Sequence, residues 1–236
     1  MGPAWLILPT YNEAENIVPI VHAARAQLRE GDRILIVDDN SPDGTGAIAD
    51  RLAGEVAGVE VLHRPAKQGL GRAYLDGFRH ALAGGAELVL EMDADFSHDP
   101  ADLPRLIAAA EGEADLALGS RYVPGGSVTD WGALRKLVSR GGSWYARVVL
   151  GVQVRDLTGG FKCFRRSVLE ALDLGTVHAD GYGFQIELTY SAIKAGFRVV
   201  ELPIVFRDRR VGQSKMNARI ALEAVWKVPA LRSRVR

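Results

Sequence analysis

What most restricts the fold of this chain is a recurring unit: a short, nearly continuous apolar run, then turn residues, then a helical period. Ala4-Trp5-Leu6-Ile7-Leu8, Arg33-Ile34-Leu35-Ile36-Val37, Val59-Glu60-Val61-Leu62, Leu88 to Met92 and Leu116 to Ser120 read as strands. The intervening segments read as helices. Asn12 is the expected cap of one through Ile17, Ile20, Val21 and Ala24. Others run from Thr45 to Ala53, from Gly69 to Leu82, and from Asp99-Pro100 through Ile107. Strands apolar on both sides belong to a mostly parallel sheet covered by helices on both faces, an α/β fold. In such sheets ligands bind beyond the carboxyl ends of the strands. Pro9-Thr10, Asp38-Asp39 and Asp93-Ala94-Asp95 all fall there, which makes them three views of one expected site.

Beyond Tyr122 the pattern changes. The Gly/Pro/Ser segment from Val123 to Thr129 reads as a mobile loop and Ala133 to Leu150 as a helix, followed by the turn Asp156-Leu157-Thr158-Gly159-Gly160-Phe161. Phe184 to Ala195 reads as helix, Arg198 to Phe206 as strand, and Met216 to Leu231 as a last amphipathic helix.

Several function classes drop out. Lys and Arg balance Asp and Glu at 29 each, so no global field recruits nucleic acid. Cys163 is the only cysteine, which excludes an intramolecular disulfide framework and suits a reducing compartment. The start lacks a signal-peptide pattern, and no window offers the roughly 18 apolar residues of a spanning helix, so the expectation is a soluble or peripheral protein. Pro9-Thr10-Tyr11-Asn12-Glu13 stands where a dinucleotide-binding chain needs its glycine-rich turn, and there is no Walker A sequence.

The chemistry-bearing residues remain. Asp93 and Asp95, one residue apart at a strand end, are hard oxygen donors suited to Mg²⁺ or Mn²⁺ and, through the ion, to a diphosphate; the plainer reading is a solvated turn. Tyr11, Glu13 and Asp39 suit a nucleoside, with the ring beside the base and the carboxylates on N–H or ribose hydroxyls. Capping by Asn12 and Glu13 explains that segment equally well. Lys67 and Arg72 flank Gly69 and Gly71, either as a phosphate contact or as a flexible turn. Arg121 shares the rim with the acidic pair. Arg135 and Ser139 share one helix face beside Leu134, Leu137, Val138, Trp144 and Val148, either as a seat for a lipid phosphate or as an ordinary amphipathic helix. Arg207, Arg209, Arg210 and Lys215 form a basic cluster around Gly212, fit either to close over phosphates or to face water. His63, His80, His98 and His178 lack metal-ligand spacing and carry no expected catalytic role.

Taken in order, Pro9-Thr10-Tyr11-Asn12-Glu13, Asp38 to Thr45, Lys67 to Gly71, Asp93-Ala94-Asp95, Gly119 to Tyr122, Arg135 to Gly141, Asp156 to Phe161 and Gly212 to Met216 resemble the polyprenyl- (dolichyl-) phosphate mannose synthases. These are inverting family-2 glycosyltransferases, and the likeness runs over nearly the whole chain. It implies a single GT-A catalytic domain over 1–236, with a nucleotide-sugar half at 1–122 and an acceptor half at 123–236. It further implies transfer of mannose from GDP-mannose to a polyprenyl monophosphate, giving a β-linked product. Pro9, Tyr11, Glu13, Asp39, Lys67, Asp93, Ala94, Arg209 and Lys215 would hold the nucleotide sugar. Asp93 and Asp95 would hold Mg²⁺ or Mn²⁺, with Ser97 at a position where some relatives have a Gln ligand. Arg121, Arg135 and Ser139 would grip the acceptor phosphate, and Asp95, Arg121 and Arg135 would carry the catalysis. No general base is expected, because a phosphate monoester is already anionic.

A lipid acceptor implies a peripheral protein on the cytoplasmic face of a membrane. It would reach that surface through the last helix and its basic tail, or through a separate membrane-protein subunit. The residues themselves leave two other readings open: a UDP-glucose-dependent transferase, and a non-catalytic sugar-nucleotide-binding subunit.

Overall fold

The computed structural model describes residues 2–175, 177, 182–208 and 228–234. In chain order its elements are β1 (Ala4–Thr10), α1 (Ile17–Arg25), β2 (Arg33–Asp38), α2 (Thr45–Glu55), β3 (Val59–His63), α3 (Leu70–Ala83) and β4 (Leu88–Glu91). A 3-10 turn at Pro100–Asp102 leads into α4 (Leu103–Glu111) and β5 (Leu116–Ser120). Then come β6 (Ser127–Val128), α5 (Ala133–Leu150), β7 (Lys162–Arg165), α6 (Arg166–Ala171), α7 (Tyr182–Lys194), β8 (Val199–Pro203) and β9 (Val205–Phe206).

Seven strands form one sheet in the order β3-β2-β1-β4-β7-β5-β8, and β6 pairs with β9 in a separate ribbon. Every pairing in the large sheet is parallel except those of β7, which runs antiparallel between β4 and β5. The apolar runs explain the layering. Along β1, Leu6 and Leu8 enter a cluster with Ile17, Ile20 and Val21 of α1 and Leu103 and Leu106 of α4. Trp5 and Ile7, on the other face, pack with Tyr74 and Phe78 of α3 and Phe184 and Leu188 of α7. Each such fully buried side chain stabilises the fold by about 1.5–3 kcal/mol. Gly77 lets α3 settle onto β1, because a Cβ there would lie 2.5 Å from Ile7 Cγ2.

Several expectations change. Asn12 does not cap α1: it sits in a left-handed turn at φ 61°, and the helix begins at Ile17, with Asn16 at the cap position. The carbonyl of Glu13 accepts from the amides of Asn16 and Ile17, so the backbone closes that end without a capping side chain. The segment from Val123 to Thr129 is not a free loop, since β6 within it pairs with β9. The strand expected over Arg198 to Phe206 is two strands broken at Ile204, each in a different sheet.

Neither β7 nor α6 was foreseen. β7 opens on Lys162, which is wholly buried, and a buried lysine hides a central strand from any reading based on apolar runs. Of the last amphipathic helix, Met216, Ile220 and Ala224 lie outside the described residues. The helical turns at 228–234 bury Val228 and Leu231 in a third cluster with Ala146 and Leu150 of α5 and Ile186 of α7. The described turns therefore pack on the domain.

Lys162 stands beside Glu91 in the β4–β7 register, with its Nζ 3.8 Å from the carboxylate and both side chains fully buried. Burial pushes Glu91 up to about 7 and Lys162 down to about 8, each held back by the other's charge. Removing one member of a buried pair strands the other, at a cost of about 3–5 kcal/mol, whereas replacing both with apolar residues does not. Lys162→Met should lower the urea-unfolding free energy by about that much, and Glu91→Leu with Lys162→Met should recover most of it. Equal losses in the single and double variants would show that the pair is not the source.

Candidate active site

Four parallel strands end on one rim and hand their next residues to a single cleft of about 390 Å³. β1 delivers Pro9, Tyr11 and Glu13, β2 delivers Asp39, β4 delivers Asp93, Ala94, Asp95 and Ser97, and β5 delivers Arg121. Lys67 joins them from the loop before α3, and Arg135 from α5. All these residues line the cleft. Ser139 does not: its hydroxyl meets the Tyr122 hydroxyl at 2.7 Å, behind Arg121. Arg209 and Lys215 lie outside the described residues.

At the β1–β2 end, Lys67 Nζ sits 3.8 Å from the Tyr11 ring centroid, a cation–π contact that closes this side of the cleft. Thr10 and Ser41 both donate to the buried Asp38 carboxylate, which fixes the loop without reaching the cleft. Asp39 turns the other way. Burial raises its pKa, and a hydrogen bond and charge from buried Arg64 oppose the rise. Gly69 opens α3 at φ 100°, a backbone angle that favours glycine and that brings the chain against the cleft.

In the middle, the chain after β4 turns back on itself. The Ser97 amide donates to Asp95 Oδ1 at 3.0 Å, and Phe96 takes φ 62° to allow it. Asp95 is buried, while the Asp93 side chain keeps 35% of its exposure. The Tyr74 hydroxyl lies 3.4 Å from Asp93 Oδ1, and the Asp93 amide donates to His98 Nδ1 at 3.3 Å. His98 is buried, stacked on Phe161 and edge-on to Phe206. Burial pulls its pKa down to about 4 against the attraction of Asp95, so the ring is neutral and its Nδ1 is an acceptor. The histidine dismissed on spacing thus positions the acidic pair.

At the far end, Arg121 is gripped by Asp156. Nε and Nη2 donate to the two carboxylate oxygens at 2.7 and 2.6 Å, the Arg121 amide donates at 2.9 Å, and Nη2 also reaches Thr158. Burial alone would raise Asp156, but the charge and hydrogen bonds of Arg121 prevail and hold the carboxyl below the usual range. Arg135 donates to Asp208 at 2.9 Å and lies 4.0 Å over the Trp131 ring. α5 turns Arg135, Ser139 and Ser143 inward on one face, with Ser143 3.3 Å from Thr158. The outward face is apolar: Leu134, Leu137, Trp144 and Val148 are exposed at 75, 69, 66 and 57%.

Sequence reasoning assigned no role to Arg64, Tyr74, His98, Trp131, Asp156, Gln185 or Asp208. Asp156 lay within a recognised turn motif, yet nothing there named its partner. Arg64 follows a strand end, which was the one available signal. For a metal ion, Asp93, Asp95 and Ser97 offer hard oxygens only, a set that suits Mg²⁺ or Mn²⁺. Among the described residues no group of three His, Cys, Asp or Glu is placed to hold a metal ion, so part of any coordination shell would come from substrate oxygens.

Residues 5–173 match the model of "Glycosyl transferase family 2". A "Polyprenol monophosphomannose synthase" of Mycolicibacterium smegmatis is 51% identical over 227 residues, which cover 94% of this chain and 84% of the relative. An "Undecaprenyl-phosphate mannosyltransferase" of Micrococcus luteus is 47% identical over 222 residues, covering 94 and 90%. Among solved structures, glucosyl-3-phosphoglycerate synthase from Mycobacterium tuberculosis, in complex with Mn²⁺, UDP-glucose and phosphoglyceric acid, superposes with TM-score 0.72 at 21% identity, covering 98% of this chain and 80% of that one. That likeness establishes the expected GT-A fold.

A histidine buried neutral binds its proton more readily in the unfolded chain. Stability should therefore fall as pH drops from the ordinary histidine value, about 6.5, towards about 4. Unfolding free energies measured across that window should show the slope, and His98→Gln should flatten it. An unchanged slope in the variant would assign the effect to other groups.

Proposed function

The chain belongs to glycosyl transferase family 2, and from that premise we propose that it moves mannose from GDP-mannose to a polyprenyl monophosphate, with inversion, to give a β-linked product. The observation that carries the reading is the meeting of an acidic pair, Asp93 and Asp95, with two guanidiniums, Arg121 and Arg135, in one cleft. Two relatives near 50% identity are named for mannosyl transfer to polyprenyl-type phosphates, which supports the acceptor class.

The geometry supports the following roles. Tyr11, Glu13 and Asp39 hold the nucleoside at the β1–β2 end, and Lys67 folds over it. Asp93, Asp95 and Ser97 hold Mg²⁺ or Mn²⁺; when bound, the ion supplies positive charge to the leaving diphosphate. Arg135, whose pair with Asp208 is partly exposed, trades that carboxylate for the acceptor phosphate. Arg121, locked by Asp156, presents a fixed positive edge to the same phosphate, and Ser139 acts behind it through Tyr122. A phosphate monoester attacks the anomeric carbon without a base, so alignment and charge stabilisation carry the rate.

The acceptor end also faces the membrane. On α5 the exposed stripe of Leu134, Leu137, Trp144 and Val148 is flanked on one side by Lys136, Arg140 and Arg147, a pattern suited to an anionic bilayer surface. The protein then works as a peripheral enzyme on the cytoplasmic face. The same stripe also suits a membrane-protein subunit as an intermediary. No described helix is long and apolar enough to cross a membrane.

Labelled mannose should pass from GDP-mannose to a short polyprenyl phosphate with Mg²⁺ or Mn²⁺, and chelator should stop it. Activity with UDP-glucose instead would move the donor assignment, and silence with both would favour a binding-only subunit. Asp95→Ala should lower kcat at least about a hundredfold, and Arg135→Ala should raise the acceptor KM about 10- to 100-fold. Leu137→Glu with Trp144→Glu should abolish co-sedimentation with anionic vesicles while leaving GDP affinity unchanged. Retained vesicle binding would exclude α5 as the contact.

A further inference from the structure

A second cavity, of about 270 Å³, opens between α5 and the β6 ribbon, and Arg121 is the one described residue it shares with the cleft. That volume falls short of the roughly 300–1,000 Å³ of drug-sized sites and suits a small headgroup. Lys136 and Arg140 line it, both exposed and one helical turn apart, a spacing at which like charges repel. Among the described residues neither makes an ion pair or a side-chain hydrogen bond, and no carboxylate lines the cavity. Arg121 needs no second anion, because Asp156 already answers its charge. Two positive charges therefore face this space unneutralised.

The walls are fixed by specific contacts. The Tyr122 ring lies 5.2 Å from the Arg121 guanidinium and 5.8 Å from that of Arg140, and its hydroxyl is held by Ser139. Gly126 brings the β6 segment against the end of β5: a Cβ there would stand 2.5 Å from the Ser120 carbonyl oxygen, so only glycine permits the approach. Ser127, next along, adds an exposed hydroxyl to the lining. Cations and a hydroxyl, with no carboxylate among them, are the donors that a phosphate takes. The same helix carries the exposed apolar residues Leu134, Leu137 and Val138. A free phosphate uses only the cavity, whereas a phospholipid brings a phosphate for the cavity and acyl chains for those side chains.

We infer that this cavity seats the headgroup phosphate of an anionic bilayer phospholipid, distinct from the acceptor, and that Lys136 and Arg140 hold it. This rests on the reading of α5 as the membrane contact. A seated headgroup pins α5 at one point and so fixes how the helix lies on the bilayer, which a diffuse attraction does not do.

The test measures co-sedimentation with phosphatidylcholine vesicles and with equimolar phosphatidylcholine–phosphatidylglycerol vesicles, and reads the ratio of the two affinities. Ser127→Phe fills the cavity without changing the net charge, and it should lower the preference for phosphatidylglycerol about tenfold, the loss of a charge-assisted contact. Arg140→Gln should lower that preference at least about fivefold further than Arg147→Gln, which removes an equal charge from the same helix outside the cavity. If Ser127→Phe folds poorly, the comparison of the two arginines decides alone. An unchanged preference in Ser127→Phe, with equal losses in the two arginine variants, would mean a diffuse surface charge and overturn the seat. Millimolar inorganic phosphate that erased the wild-type preference at constant ionic strength would overturn the lipid as its source. Wild-type protein that bound both vesicles equally would overturn this inference alone, and protein that sedimented with neither would overturn the membrane reading with it.

Discussion

The site depends on one reversed strand. β7 enters the sheet antiparallel between β4 and β5, so the segment that precedes it, residues 156–161, arrives at the rim where the parallel strands end. That puts Asp156 against Arg121 and aligns Gly159 and Gly160 with the turn after β4. A parallel β7 would bring 156–161 to the opposite edge, and the rim would lose its anchor for Arg121 and a whole wall. β7 and β8 come from the later part of the chain, yet they complete the sheet begun by residues 1–122.

The charges at the rim are arranged to be stiff in one place and loose in another. Arg121 and Asp156 are almost fully enclosed, and removing either would leave a stranded charge. Arg135 and Asp208 keep about a quarter to a third of their exposure, so water screens that pair far more than the enclosed one. His98 extends the logic to the acidic pair, accepting from the Asp93 amide through a ring that burial keeps uncharged.

The sheet was legible because five of its strands are apolar runs bounded by turns, a signal that depends on local composition. The residues of the acidic pair, Tyr11, Asp39 and Arg121 were legible for a related reason: strand ends in parallel sheets are where ligands meet the chain. What escaped depends on partners far away in sequence. Lys162 reads as a solvent residue until Glu91, 71 positions earlier, is brought beside it by the β4–β7 register. Arg64 likewise gains its meaning only from Asp39, and His98 from Phe161 and Phe206. Asn12 misled because its left-handed conformation resembles nothing in its composition. The outward apolar stripe of α5 was visible as a period, but periodicity does not say which face is covered. The fold covers the face that carries Ala146 and Leu150 and leaves the other bare.

The ribbon of β6 and β9 has only two residues in each strand, and it hangs from β8 through Ile204 and Phe206. Ser127 and Thr129 donate to those two carbonyls, so this small ladder carries the approach to Trp131 and Arg135. A ladder so short opens at far lower free energy than the seven-stranded sheet behind it. Its amide protons would trade with solvent while those of β5 stay protected. A local opening of this ladder would loosen the approach to Trp131 and Arg135 without disturbing the sheet that carries Tyr11 and Asp39.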